Sequence, residues 1–525
     1  MKKKIAGIIE LSYLPLAVVF LLLVLLTESG ILTLPIKYEV FAYVLPLLAI
    51  PTLIRFKTAN EQSSPVIFYL LFVSLIFSLG IRLLPLVRSS IPLGYDPGIY
   101  KYTMELYYNA LPGIPEGELA TWVKQTSEQG LFVLSDAMHI LAGTSAMDNI
   151  VYLFPFFGTL LILPLFVVTR NLFGPRVGVI ASLLYAVSYT QYSAFTLLYY
   201  KNVIGLMLLL LAIYALEKRK DGLMALMFAG LGIFHRPEFL LFALILVPYL
   251  IFNRDRRGGV ILAVMGAALL IAPFWIPRWE AYWETVSGGI GAGTLFGFST
   301  YTMVALAYLP FAVMGAVYLV INKRLNSVVF YFVITCSIVV FQILFFNRFI
   351  IMLDLAMIIL AAVGVEHSLL QKKGVRVVAG AATVLLVLLA SGLPTMTEAN
   401  NIMPRVDKEQ LEAIEWISEN TESNAYVLAT SSDAPWVLGW SERRVIAPGL
   451  FEWYIQGKEE WFRFFDSKDP EVAKEFLAVY DSPIYVYSRA TENYPGLEKF
   501  EGDYFQQVYK SDGAVVFRYS GEVEL

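Results

Sequence analysis

The sequence predicts a polytopic α-helical membrane protein of about 13 spans, followed by an α/β domain outside the membrane. Three observations carry that prediction. Apolar runs long enough to cross a bilayer recur from residue 5 to residue 393. Charged residues make up only 16% of the 525 and hydrophobic ones 58%, with a mean hydropathy of +0.64; soluble domains carry about a quarter charged residues. Lysine and arginine gather in every second connection between the runs.

The first three runs are Ile5 to Thr27, Tyr38 to Ile54 and Pro65 to Leu86. The first is too long for a signal-peptide core and lacks a small-residue cleavage site, so it reads as a retained anchor. After a polar interval come Ile150 to Val168, Val177 to Leu197, Val203 to Leu216, Leu223 to Phe234, Phe239 to Phe252 and Val260 to Ile276. Tyr301 to Ile321, Val328 to Phe346, Phe349 to Val365 and Val377 to Leu393 complete the series. The pair on either side of residue 235 is short for spanning helices.

Cations then orient the chain. They cluster at Lys2, Lys3 and Lys4; Arg55 and Lys57; Arg170 and Arg176; Lys218, Arg219 and Lys220; Arg254, Arg256 and Arg257; Lys323 and Arg324; and Lys372, Lys373 and Arg376. The alternation places the N-terminus in the cytoplasm. It places the loop 88–148, the loop 278–300 and everything after Leu393 outside a cell membrane crossed many times. The organisation is thus a membrane domain over 1–393 and a second domain over 394–525. Within the long loop, Leu131 to Ala142 is apolar, yet counting it as a span would break the charge alternation. It reads as a helix lying on, or dipping into, the outer surface.

Beyond residue 393 the composition changes. Asp407 to Asn420 sets Leu411, Ile414, Trp416 and Ile417 among acids, the pattern of an amphipathic helix. Ala425 to Thr430, Val445 with Ile446, Ile484 to Tyr487 and Val515 to Tyr519 read as strands of a domain of about 130 residues.

Composition excludes several classes of function. A net charge of -4 gives no footprint for nucleic acid. The lone Cys336 rules out a disulfide within the chain and a thiolate metal site. Three histidines leave no His-rich zinc site. No P-loop, dinucleotide fingerprint or solenoid repeat is present. The glycines from Gly288 to Gly297 do not match a phosphate-cradling spacing and read as a flexible segment able to close over a site.

The stretch from Gly94 to Tyr102, Gly-Tyr-Asp-Pro-Gly-Ile-Tyr-Lys-Tyr, lies just beyond the third run. A carboxylate at the mouth of a helix bundle, ringed by aromatics such as Tyr95 and Tyr100, is placed to take a proton from an incoming hydroxyl. Asp-Pro-Gly is equally ordinary turn chemistry. Cations are depleted outside the membrane, so those near span ends there count as phosphate partners: Lys101, Lys201, Arg236, Arg278 and Arg348. Snorkelling, or pairing with a nearby acid, is the plainer account of each. Arg348 and Lys201 stand out because each follows aromatic residues at a helix mouth. His235 can donate to a phosphate or a sugar hydroxyl, or simply fill a polar joint. Asp354, about 9 Å along the helix from Arg348, is functional by default as a membrane carboxylate, or else pairs with a buried cation.

With these motifs the sequence resembles the GT-C superfamily of membrane glycosyltransferases, most of all the branch of dolichyl-phosphate-mannose protein mannosyltransferases. The resemblance covers roughly residues 65 to 365. It rests on Gly-Tyr-Asp-x-Gly-x-Tyr around Asp96, on the amphipathic segment Gly130 to Gly143 leading to Ile150, on Arg170-Asn171-Leu172-Phe173-Gly174 closing that span, and on Gly230 to Glu238 with His235-Arg236-Pro237-Glu238. It implies that Asp96 is the general base or a metal contact. It implies inverting transfer of a sugar from a polyprenyl (dolichyl) phosphate to a glycan, lipid or protein acceptor. Arg348, Lys201, Arg236 and Arg278 would then face the donor phosphate, and Tyr95, Tyr100, Lys101, Glu105, His235 and Glu238 the substrates. No cofactor is identified, and the resemblance leaves room for a divalent Mg or Mn ion on Asp96. The sequence departs from the pattern in three ways. Pro97 follows Asp96 where the mannosyltransferases often carry Asp-Glu, leaving Glu105 as the next acid. The Trp-Trp-Asp motif of oligosaccharyltransferases is absent. Two extra spans precede the loop. Transfer from a lipid diphosphate, as by an oligosaccharyltransferase, and a non-enzymatic lipid or solute transporter are the alternatives.

Overall fold

The computed structural model describes residues 65–111, 115, 128–279, 295–322, 324–343, 345–370, 375–448, 455–481, 483–490, 497–500 and 503–521. The predicted spans Ile5 to Thr27 and Tyr38 to Ile54 lie outside them, as does most of the glycine-rich segment. Each of the other predicted spans falls on a helix or a broken pair of helices. In order these are α1 (Pro65–Arg88), then α2 (Pro97–Ala110) and α3 (Gly130–Ala142) in the loop, then α4 (Ala146–Phe173), α5 (Pro175–Val187), α6 (Tyr189–Thr196) and α7 (Tyr200–Glu217). α8 (Asp221–Phe234), α9 (Arg236–Phe252), α10 (Arg257–Trp275), α11 (Phe298–Ala305), α12 (Leu309–Ile321), α13 (Ser327–Val340), α14 (Phe346–Val365) and α15 (Val375–Asn401) follow.

Among the described residues, six helices are long and apolar enough to cross a membrane, and seven if α11 and α12 count as one bent span. Helices such as α5, α8 and α13, of 13 or 14 residues, fall short on length. The thirteen crossings expected from sequence are therefore not reached on this criterion. α1 turns Phe68, Tyr69, Phe72 and Ile76 outward as a lipid-facing helix does, whereas α14 is buried along its whole apolar length and forms the axis of the bundle.

Two breaks have chemical causes. The run Val177 to Leu197 is not one helix. Ser188 adopts an extended conformation, ends α5, and caps α6 by accepting from the Gln191 amide at 3.2 Å. α11 and α12 meet at 86° across Leu306 to Tyr308. Both breaks converge on Asp354 of α14. Its carboxylate accepts from Ser188 Oγ at 2.8 Å, from Gln191 Nε2 at 2.9 Å and from the Tyr308 hydroxyl. The carboxylate is thus satisfied by three neutral donors within the bundle. No cation pairs with it among the described residues, so of the two readings of Asp354 the paired one is not seen.

α15 runs on past residue 393 to Asn401 and delivers the chain to the C-terminal domain. Asp407 and Gln410 form a reciprocal capping box that starts α16 (Lys408–Asn420), as the amphipathic pattern predicts. Next come β1 (Tyr426–Leu428), α17 (Ala434–Ser441), β2 (Arg444–Ile446), α18 (Lys458–Asp466), α19 (Pro470–Leu477), β3 (Ile484–Arg489), β4 (Phe505–Lys510) and β5 (Ala514–Tyr519). The sheet has the order β2-β1-β3-β5-β4; its first three strands are parallel, and β5 is antiparallel to both neighbours. Its two faces are covered separately. One packs on Ile414, Ile417, Trp436 and Val437, the other on Trp461, Phe464, Phe476 and Leu477. Parallel strands need such covering on both sides.

The helix α2 joins the two domains. Tyr100, Met104 and Tyr107 recur at helical spacing and bury against the membrane bundle with Phe132, Phe154 and Tyr200. Ile99, Tyr102 and Leu106 occupy another face and pack on the core of the C-terminal domain, together with Ile91 and Met147. There α2 crosses α17 with almost no separation. A Cβ on Gly98 would lie 1.8 Å from the Pro435 carbonyl oxygen, and one on Gly439 would lie 2.2 Å from the Gly98 Cα. Only glycine fits either position.

Candidate active site

Asp96 stands at the N-cap of α2, followed by Pro97 in the first helical turn, where a missing N–H costs nothing. Its side chain makes no capping bond and is left for other work. Gly94 precedes it at φ +84°, pressed against Leu198, where a Cβ would come within 2.8 Å of the Leu198 side chain. Leu198 itself sits in the left-handed region at φ 59°, which costs a branched residue about 1–2 kcal/mol. That strained turn opens α7, and its carbonyl accepts from the Tyr100 hydroxyl at 3.1 Å. The turn carrying Asp96 is thereby fixed to the start of α7, where Lys201 stands.

Asp96 keeps part of its surface open while protein crowds its other sides. Burial pushes its carboxyl above the usual range, and the charges of Lys201, Arg348 and Arg405 pull it back. The charges of Lys201 and Arg348, the two cations singled out from sequence, thus act on Asp96, as does that of Arg405 from the segment between α15 and α16. Arg348, at the start of α14, lies over the Tyr199 ring at 5.6 Å, and its Nε is buried with no hydrogen-bond partner. Arg405 lies over the Tyr95 ring at 5.4 Å. The Tyr95 hydroxyl donates to the carbonyl of Ser431, which belongs to a turn of the C-terminal domain. Burial, then Asp96, pushes the Tyr95 phenol up to about 12, so it remains a donor. That turn is fixed by Asp433, which is buried and ion-paired with Arg489.

Glu128 forms the second part of the site. It pairs with Lys201 at 3.2 Å and with Arg236 at 3.0 Å. Burial acts to raise its pKa, but Lys201, Arg236 and His235 outweigh it and hold the carboxyl well below the usual range. Beside it, His235 adopts an extended conformation at the joint of α8 and α9, and its Nδ1 contacts the Glu238 carboxylate, which also accepts from Asn202 at 3.3 Å. The His235–Glu238 pair is fully buried and satisfied within this joint.

The remaining candidates lie elsewhere. Lys101 pairs with Glu105 at 2.8 Å and with Glu442 at 3.8 Å, and lies 5.9 Å over Trp440; both Lys101 and Glu105 thus face the C-terminal domain. Arg278 is buried, bonding the Tyr107 hydroxyl at 3.4 Å and the Gln129 side-chain oxygen, once its amide is oriented to accept, at 2.9 Å and 2.8 Å. It braces α2 through Tyr107. Glu128 and Arg405 are additions that sequence alone did not offer; they lie 108 and 309 residues from Arg236 and Asp96. Among the described residues, no three His, Cys, Asp or Glu side chains converge as metal ligands. The charged groups that act on Asp96 are Lys201, Arg348 and Arg405.

Residues 132–279 match a protein family described as dolichyl-phosphate-mannose-protein mannosyltransferase. No curated protein matches the sequence. The fold is similar to that of the oligosaccharyltransferase of Archaeoglobus fulgidus, with 15% identity and a TM-score of 0.60 over 81% of this chain and 69% of the archaeal one. It is similar to ArnT of Cupriavidus metallidurans, solved with undecaprenyl phosphate, at 13% identity and a TM-score of 0.55 over 86% of this chain and 97% of that one. It is also similar to the arabinofuranosyltransferase AftD from Mycobacteria, at 12% identity and a TM-score of 0.58 over 89% of this chain and 40% of that one. The chain thus carries a domain of a GT-C glycosyltransferase family over α3 to α10, within a fold similar to that of these transferases over most of its length.

Proposed function

We propose that the protein transfers a sugar from a polyprenyl phosphate to a hydroxyl of a glycan, lipid or protein acceptor, with inversion, at the outer face of a cell membrane. The N-terminus is cytoplasmic in this reading and the C-terminal domain lies outside. The thirteen-span arrangement follows from the alternation of cation clusters, with the short helices contributing crossings. The observation that carries the reaction is the gathering of Asp96 with Lys201 and Arg348 at the starts of α2, α7 and α14. A carboxylate beside two cations suits a displacement in which one group takes a proton while others receive a departing phosphate. The similarity to a protein solved with undecaprenyl phosphate supports the same class of carrier.

In the reaction the acceptor oxygen attacks the anomeric carbon, and its proton passes to Asp96. The bond from that carbon to the phosphate oxygen breaks, and its electron pair leaves on the phosphate. Lys201 and Arg348 hold that phosphate. Arg236 acts through Glu128, which positions Lys201. Tyr95 and Tyr100 shape the approach to Asp96. His235, Glu238, Lys101, Glu105 and Arg278 hold the surrounding elements in place. No step is routed through a metal.

The test is transfer of labelled sugar from a panel of polyprenyl-phosphate and polyprenyl-diphosphate sugars by the purified protein, wild type beside Asp96→Asn. The expected result is transfer from a monophosphate carrier, lowered about 10²- to 10⁴-fold in the variant. Transfer that survives the substitution would remove Asp96 from the mechanism. Transfer from diphosphate carriers alone would favour the oligosaccharyltransferase-like alternative.

A further inference from the structure

We infer that Arg405, carried by the segment that leads into the C-terminal domain, is a third cation of the phosphate cradle and acts mainly on the phosphate as it leaves. This deepens the reading of the protein as a polyprenyl-phosphate-dependent transferase and rests on it.

Charge balance supplies the first reason. Two pairs near the site add no net charge, Asp433 with Arg489 and His235 with Glu238. Among the described residues, the site then holds four cations, Lys201, Arg236, Arg348 and Arg405, and two carboxylates, Asp96 and Glu128. The excess is two positive charges. A sugar linked to a lipid through a phosphodiester carries about one negative charge, and the free phosphomonoester released on transfer carries up to about two. An excess of two therefore matches the departing group better than the bound donor, and such a mismatch lowers a barrier. Without Arg405 the excess would be one, and the match would favour the donor.

Geometry supplies the second. Arg405 does not hang freely from its segment; it lies over the face of Tyr95, the residue next to Asp96, and Tyr95 is tied at its hydroxyl to Ser431. No carboxylate lies within salt-bridge distance of Arg405 or Arg348 among the described residues, and the buried Nε of Arg348 has no partner. A guanidinium held by an aromatic face keeps its N–H donors turned to the edge, available to phosphate oxygens. The atoms balance as for any such displacement: the acceptor proton goes to Asp96, and the electron pair of the broken bond goes to the phosphate oxygen facing the cations.

The test uses the full-length protein in lipid nanodiscs, with Arg405→Gln and Arg405→Lys. Undecaprenyl phosphate is the binding probe, with undecaprenol as the uncharged control. The expected result is that Arg405→Gln weakens undecaprenyl phosphate binding about tenfold and leaves undecaprenol unaffected. It lowers kcat about tenfold while the donor KM changes no more than about threefold, and Arg405→Lys restores most of both. Wild-type behaviour of Arg405→Gln in both assays overturns the inference and leaves the transferase reading intact. Equal loss in Arg405→Gln and Arg405→Lys, with a lowered unfolding temperature, also overturns it and makes Arg405 a brace for Tyr95. A wild type that neither binds undecaprenyl phosphate nor transfers sugar overturns this inference and the donor class together.

Discussion

The crossing of α2 and α17 makes the strongest quantitative prediction. Gly98→Ala places a Cβ 1.8 Å from the Pro435 carbonyl oxygen and 2.6 Å from its carbon, where ordinary contact begins at about 3.4 Å. Both obstacles are backbone, so no rotamer change relieves them. The helices must part by roughly 1.6 Å, or the docking must be lost. Overpacking of this kind costs about 1–3 kcal/mol and sometimes more; with rigid backbone on both sides, about 2–3 kcal/mol is expected. That lowers the docked population about 30- to 150-fold relative to the undocked one. The movement also draws Ser431 away from Tyr95, and Glu442 from Lys101. Sugar transfer and the unfolding temperature of the purified protein should therefore both fall. Gly439→Ala should act the same way, and the double variant should cost clearly less than the sum, because one separation relieves both contacts. Gly98→Ala with wild-type stability and turnover would refute the reasoning.

The further predictions concern charge. The base form of Asp96 is required, and burial pushes its pKa up, so kcat/KM should rise with pH through a limb above the ordinary carboxylate range. Arg348→Gln removes a charge that lowers that pKa, so the limb of its pH–rate profile should move to higher pH; an unmoved or lowered limb would contradict the assignment. Glu128→Gln takes the shared carboxylate from the half-buried Lys201 and Arg236 and should cost about 1–3 kcal/mol, read as a drop in unfolding temperature. Because the carboxyl of Glu128 is held below its unfolded range, its stabilisation is present above that range and is lost as pH falls. Acidification should therefore destabilise the wild type more than Glu128→Gln.

Much of the fold was legible because lipid and helical period constrain it so strongly. The helix cores, the loop helix α3, the capped α16 and four of the strands all stand where apolar runs and caps place them. β4 escaped because Phe505 to Lys510 is an edge strand whose glutamines and lysine face solvent, leaving no alternation to read. The break at Ser188 escaped because the surrounding run is apolar on average, although Thr190, Gln191, Ser193 and Thr196 were a visible warning. In the site, Asp96, Lys201 and Arg348 could be proposed from their places at helix mouths. Glu128 and Arg405 could not, since their partners come from distant segments and only the folded chain brings them together. Lys101 and Glu105 carried the right chemistry in the right loop, but the helical turn between them points both toward the C-terminal domain.

The carboxylate of Asp354 has a consequence for the order in which the chain is made. Its three donors precede it by 166, 163 and 46 residues. Ser188, Gln191 and Tyr308 thus leave the ribosome before their acceptor exists, and hydrocarbon offers them no substitute. Until α14 arrives, those groups must stay near water or bond within their own helices. The local cap at Ser188 can form at once, but the bonds that join Ser188, Gln191 and Tyr308 must wait for Asp354. The bonds to Asp354 that tie both breaks together can form only after α14 has been made.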